Sequence, residues 1–222
     1  MIDLHTHSIF SDGELIPSEL ARRAKVMGYR AMAITDHGDH SNIDFIIPRI
    51  VKVCQSVSEA YDIQVVPGIE LTHVPPIFIA ELAKEARRMG ARIVVVHGET
   101  IVEPVIVGTN AAAIEASVDI LAHPGLITEE DALLAARKSV FLEISARKGH
   151  SLTNGHVVQM ARQCNAALVL NTDGHSPHDL IHAGMARKIA EGAGMAAEEV
   201  EAMFKNSENI VRKALAARKY MT

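Results

Sequence analysis

A chain of 222 residues with a net charge of -5 is long enough for one large domain or two small ones, and it carries no basic footprint for a phosphate backbone. With 48% hydrophobic and 22% charged residues, the composition excludes a disordered chain, a collagen and a disulfide-stapled miniprotein. Aromatic residues make up only 4% and Trp is absent, so platforms for base stacking are scarce and nucleic acid is not an expected partner.

The first apolar run, residues 2–4, follows an N-terminus without a basic n-region. No later apolar run approaches the ~18 residues that span a bilayer, so no export or membrane insertion is expected. Pro17-Ser18-Glu19 opens and Gly28 closes a helix over 17–27. A second aliphatic run (30–35) precedes helical periodicity over 44–61, and a third (64–69) precedes a helix over 76–89. The fourth run (91–96) leads into 103–117, where Pro104, Gly108 and an Ala-rich stretch suit a loop followed by a helix. After the fifth run (118–122), Thr128 caps a helix over 128–138 with acidic residues in its first turn. The sixth run (140–144) precedes a helix over 153–163; the seventh (167–171) precedes helices over 180–191 and 196–218, a closing layer. Strands of nearly continuous apolar character alternating with helices mark a parallel sheet covered on both faces. The expectation is one α/β barrel domain over residues 1–222. Cys54 and Cys164 have no CxxC spacing and each falls within a stretch that reads as helix, so buried free thiols in a reducing cytoplasm are expected.

In such a barrel the functional groups gather at the C-terminal ends of the strands. There the chain places His5 and His7 with Asp12 in the following loop, then Asp36-His37, Glu70, His97, His123, Glu143, and Asp173 with His175. Taken singly, a His after a strand is more often a hydrogen-bonded residue than a ligand. Six of the twelve histidines at matching strand ends, with carboxylates beside them, form a polar cluster that is costly to bury unless a metal pairs with it. Imidazole and carboxylate suit Zn²⁺, Mn²⁺ or Fe²⁺, and the absence of Cys argues against a structural zinc site. Nine candidate ligands, His5, His7, Asp12, His37, Glu70, His97, His123, Asp173 and His175, are too many for one ion and suit two or three.

His5-Thr6-His7 with Ser11-Asp12-Gly13, Thr35-Asp36-His37, Gly68-Ile69-Glu70, Ala122-His123-Pro124 and Thr172-Asp173-Gly174-His175 resemble, in order, the motifs of the PHP (polymerase and histidinol phosphatase) family of metal-dependent phosphoesterases. The resemblance implies a distorted (β/α)₇ TIM-like barrel with a trinuclear site. It implies one ion on His5, His7, Glu70 and Asp173, a second on Glu70, His97 and His123, and a third on Asp12, His37 and His175. Glu99 competes with His97 for its place.

The expected chemistry is hydrolysis of a small phosphomonoester, histidinol phosphate or a nucleotide-like metabolite, by metal-activated water. No GxSxG elbow or nearby Cys supports a covalent route. Just after the sixth strand, Arg147 or Lys148 is a candidate phosphate clamp and His150 a candidate acid for the leaving oxygen. Asp36 and Glu143 are candidates for orienting ligands. His178 and His182, four apart, are set aside as a ligand pair, as is His156; His40 and His73 are possible rim residues. The alternatives are amidohydrolase-type hydrolysis and a catalytically silent metal-binding scaffold.

Overall fold

The computed structural model describes residues 1–216, in which strands and helices alternate. The order is β1 (Ile2–Asp3), α1 (Pro17–Val26), β2 (Ala31–Ile34), β3 (His37–Gly38), α2 (Ile43–Tyr61), β4 (Gln64–Leu71), α3 (Pro76–Met89) and β5 (Ile93–His97). Then come α4 (Thr109–Glu115), β6 (Ile120–Ala122), α5 (Glu129–Lys138), β7 (Phe141–Ser145), α6 (Asn154–Cys164), β8 (Leu168–Asn171), α7 (Ala183–Gly192) and α8 (Ala197–Ala216). Residues 217 and 218 of the expected last helix lie outside the described residues. No helix among the described residues is long and apolar enough to cross a membrane.

The strands pair in parallel in the order β1-β2-β4-β5-β6-β7-β8, with β3 beside β4. Seven apolar runs become eight strands because the second run is interrupted. Ile34 lies opposite Pro67, and pairing resumes in the same register at His37 opposite Glu70. The sheet nearly closes: Thr6 bridges Gly174, and side chains carry the rest of the seam. Asn171 Oδ1 accepts from the Leu4 amide at 2.8 Å, and Asp3 accepts from the Thr172 amide and hydroxyl at 3.1 and 2.6 Å.

Alternation along the strands divides the core in two. Leu4, Ala31, Ala33, Val66, Ile93, Val95, Ile120, Ala122 and Val169 fill the barrel, and Ile210, Val211 and Ala214 of α8 pack into the same cluster. Met32, Ile34, Val65, Ile69, Val94, Val96, Leu121, Leu142, Ile144 and Leu170 pack outward against the helices. Cys54 and Cys164 are free and buried in α2 and at the end of α6. The stretch after β5 is a loop to Gly108 and then the short α4.

Candidate metal centre

The alternation that builds the core also aims the polar residues. Ile93 and Val95 face the interior, so His97 does as well; the same parity carries Val66 to Glu70. His123 directly follows inward Ala122 and would face outward in an extended strand, but it adopts a positive φ of 27°. Gly125, two residues on, has φ +64 and passes so close to the Glu99 carbonyl that no Cβ fits.

Asp12 arrives on the loop after β1, and Asp36 holds that loop. Its carboxylate accepts from the Ser8 amide at 2.7 Å and from the Ser8 and Ser11 hydroxyls at 2.8 Å each. Asp36 therefore acts on the loop bearing Asp12 rather than on a ligand ring. Gly13 completes the turn, since a Cβ there would lie 2.4 Å from the His7 carbonyl oxygen.

All nine sequence-predicted ligands come together. Glu70 is central: its Oε1 lies 3.3 Å from His5 Nε2, 3.4 Å from His97 Nδ1 and 3.8 Å from His123 Nε2. Its Oε2 lies 2.6 Å from His37 Nδ1 and 3.8 Å from His7 Nε2. Asp173 Oδ1 lies 3.2 Å from His7 Nε2, and its Oδ2 lies 3.6 Å from His123 Nε2. On the outer side, Asp12 Oδ1 lies 3.3 Å from His37 Nε2 and 3.1 Å from His175 Nε2. Donors about 2.0–2.2 Å from one tetrahedral ion stand about 3.3–3.6 Å apart, so these spacings match shared coordination.

Several ring orientations are set from behind. His5 Nδ1 donates to Glu143 at 2.9 Å, and the same carboxylate accepts from Asn171 Nδ2 at 2.9 Å. His175 Nδ1 lies 2.9 Å from the Asp173 carbonyl and 2.5 Å from Arg147 Nη1, and His37 Nδ1 faces Glu70 and Thr72. In all three rings Nε2 is left toward the cluster, and in His5 and His37 the carboxylate at Nδ1 fixes a metal-ligating tautomer.

Among the described residues, the buried side-chain nitrogen and oxygen atoms without a hydrogen-bond partner all belong to His5, His7, Glu70, His97, His123 and Glu143. Buried polar atoms are nearly always paired, so atoms confined to one cluster and aimed at shared points fit divalent cations. Electrostatics gives the same reading. Burial opposes charge on His37 and His97, yet the neighbouring carboxylates raise them to about 10 and about 9. Burial and then adjacent rings hold His7 and His123 well below the ordinary imidazole value. Burial would raise Glu70, but His5 and His37 hold it well below the carboxylate range. The carboxylates thus demand cations, supplied either as protons on imidazole or as metal ions.

Above the cluster is a cleft of about 260 Å³ lined by residues that include Asp12, His37, His97, Asp173 and His175. Arg147 and His150 line it as well, whereas Lys148 is exposed and not among the lining residues. Arg147 Nη1 donates to the Asp173 carbonyl at 2.9 Å. His150 stacks on His123 with centroids 4.1 Å apart, and its Nδ1 is 2.8 Å from Thr100 Oγ1. Glu99 does not compete with His97: its carboxylate accepts from the Gly108 and Asn110 amides at the start of α4. The residue that sequence reasoning missed is Glu103, which lies 3.1 Å from His97, 3.4 Å from His150 and 3.4 Å from His73. Its one signal was a carboxylate on a loop leaving the same face of the barrel. His73 joins the rim beside it; His40 packs edge-on against Phe78, His156 bonds the Ile127 carbonyl, and His182 caps α7.

The chain is 49% identical over 201 residues to the uncharacterized protein MJ1295 of Methanocaldococcus jannaschii, covering 90% of this chain and 92% of that one. It is 27% identical to ribonuclease P protein component 3 of Methanosarcina barkeri, over 95% and 88% of the two chains. Its fold is similar to a chain in the cryo-EM structure of archaeal ribonuclease P with mature tRNA, with a TM-score of 0.77, 16% identity and coverage of 100% and 94%. The PHP domain model matches residues 3–207, and the chain, with its metal-dependent hydrolase-type barrel, belongs to the PHP domain family.

Proposed function

We propose that this protein is a metal-dependent phosphoesterase that hydrolyses a small phosphorylated metabolite as its phosphomonoester. The observation that carries the reading is the pairing of nine clustered imidazole and carboxylate donors with a guanidinium, Arg147, in the wall of the same cleft. The cleft, at about 260 Å³, is smaller than the roughly 300–1,000 Å³ of sites for drug-sized ligands, which favours a compact substrate.

Two or three Zn²⁺, Mn²⁺ or Fe²⁺ ions on these donors would supply Lewis-acid stabilisation of developing charge and activation of the attacking water. The protein's own groups do the rest. Arg147, anchored on the Asp173 carbonyl, is placed to bind phosphoryl oxygens with charge-assisted hydrogen bonds. His150, held at Nδ1 by Thr100, is placed to pass a proton from Nε2 to the leaving oxygen. Burial lowers its pKa, which favours the neutral imidazole. Glu143 orients His5, and Asp36 orders the loop that brings Asp12 to the rim.

The test is turnover of para-nitrophenyl phosphate by protein loaded with Mn²⁺ or Zn²⁺, read beside a phosphodiester and an amide substrate. Monoester hydrolysis abolished by chelator supports the reading; a loaded protein inert to phosphoesters but active on the amide overturns it. The name of the M. barkeri relative favours a second reading, a scaffold role in an RNA–protein assembly. A loaded protein that binds RNA and turns over none of the three substrates would replace the first reading with that one.

A further inference from the structure

The loop carboxylate Glu103 has no place in the nine-donor set, yet it reaches three imidazoles at the cleft mouth. His73, His97 and Glu103 are close enough to form a donor group of their own. His97 is shared between this group and the buried one: its Nδ1 is 3.4 Å from Glu70 and its Nε2 is 3.1 Å from Glu103. A neutral imidazole has one lone-pair nitrogen and one N–H, so it serves one side as ligand and the other as donor. The buried side has the stronger claim. Glu70 Oε1 and both His123 nitrogens are buried without hydrogen-bond partners, whereas the His73 and Glu103 side chains are 44% and 38% exposed and can be satisfied by water.

We propose that Glu103 is a positioning residue for the metal centre: it accepts the Nε2 proton of His97 and thereby fixes the tautomer that presents Nδ1 beside Glu70 and His123. The 3.1 Å separation is within hydrogen-bond reach, although neither His97 nitrogen has an aligned partner. The exposed Glu103 side chain must turn onto that N–H to complete the bond. The pairing mirrors Glu143 behind His5, with one difference. Glu143 is rigidly placed in β7, while Glu103 is delivered by the loop between β5 and α4. Through it the position of that loop is tied to retention of the ion on Glu70, His97 and His123.

This inference rests on the reading of the buried cluster as a metal centre, not on the identity of the substrate. The experiment compares Glu103→Ala and Glu103→Gln with wild type, each loaded with Zn²⁺ and dialysed against graded chelator, with bound zinc counted by elemental mass spectrometry. Removing a carboxylate behind a ligating His costs about 10–100-fold in metal affinity. Glu103→Ala is expected to lose one ion at a chelator concentration about 10–100-fold lower than wild type. Glu103→Gln, whose amide oxygen still accepts from Nε2, is expected to recover much of that loss. Long-range ¹H–¹⁵N spectra of the zinc-loaded wild type should show His97 protonated at Nε2. Zinc retention by Glu103→Ala equal to wild type, or a His97 proton on Nδ1, overturns the proposal and leaves the metal centre intact. A wild type that takes up no zinc overturns both.

Discussion

Removing bound metal should cost this protein much of its stability, because the unpaired buried polar atoms of the described residues gather at one place. The donors divide into three groups around Glu70 and Asp12, which would accommodate as many as three ions. A ligand present at a hundredfold its Kd and bound only by the folded state contributes about 2.7 kcal/mol, so three such sites contribute about 8 kcal/mol. For a chain of this length 1 kcal/mol moves Tm by about 2–4 °C, so stripping three bound ions should lower Tm by roughly 16–32 °C. The assay is differential scanning calorimetry of protein loaded with Mn²⁺ or Zn²⁺, before and after dialysis against chelator, with metal content measured on the same samples. Full removal of metal with a Tm change under about 2 °C would show that the cluster satisfies itself without cations, and the reasoning from unpaired atoms would fail.

Glu70→Gln keeps the shape but puts an amide where Oε1 and Oε2 face five imidazoles, so the variant should lose at least one bound ion; full metal content contradicts a bridging Glu70. Arg147→Ala, assayed at matched metal content, should raise KM for a phosphomonoester about tenfold, the equivalent of about 1.4 kcal/mol; an unchanged KM removes Arg147 from substrate binding. Asp3→Ala opens the seam between β1 and β8 and strands two Thr172 donors at about 1–3 kcal/mol each, so urea unfolding should show a loss of about 3 kcal/mol; a loss under 1 kcal/mol denies Asp3 that role. In chelated protein, His37 and His97 have folded pKa values raised to about 10 and about 9. Their contribution is complete below the unfolded value of about 6.5 and is lost as pH rises through 9 and 10. His7 and His123 are depressed, so their contribution is complete above about 6.5 and is lost as pH falls. The urea midpoint of chelated protein should therefore peak near neutral pH, and a midpoint rising steadily from pH 5 to 10 would contradict these assignments.

The positions of the nine donors were legible because each follows an apolar run whose alternation is a local property of the chain. Ile93 and Val95 predict the direction of His97 two residues further on, without knowledge of any other strand. The short strand at His37–Gly38 was not legible: it pairs with Glu70 and Leu71, more than thirty residues away, and only the register of the sheet sets them side by side. His123 defeats simple alternation through a positive φ, and the His-Pro-Gly sequence marks a turn there without giving its direction.

The sequence by itself determined the barrel class, the end of the barrel that carries the chemistry and the donor types, since periodicity and residue chemistry are written in neighbouring positions. Tertiary structure alone decided what stands behind and above those donors. Asp36 clamps a loop rather than a ligand, Glu99 caps α4, Glu143 orients His5, and Glu103 reaches back from the loop after β5 to three histidines. These roles depend on distances between residues far apart in the chain, which are undefined until the sheet has curled and closed.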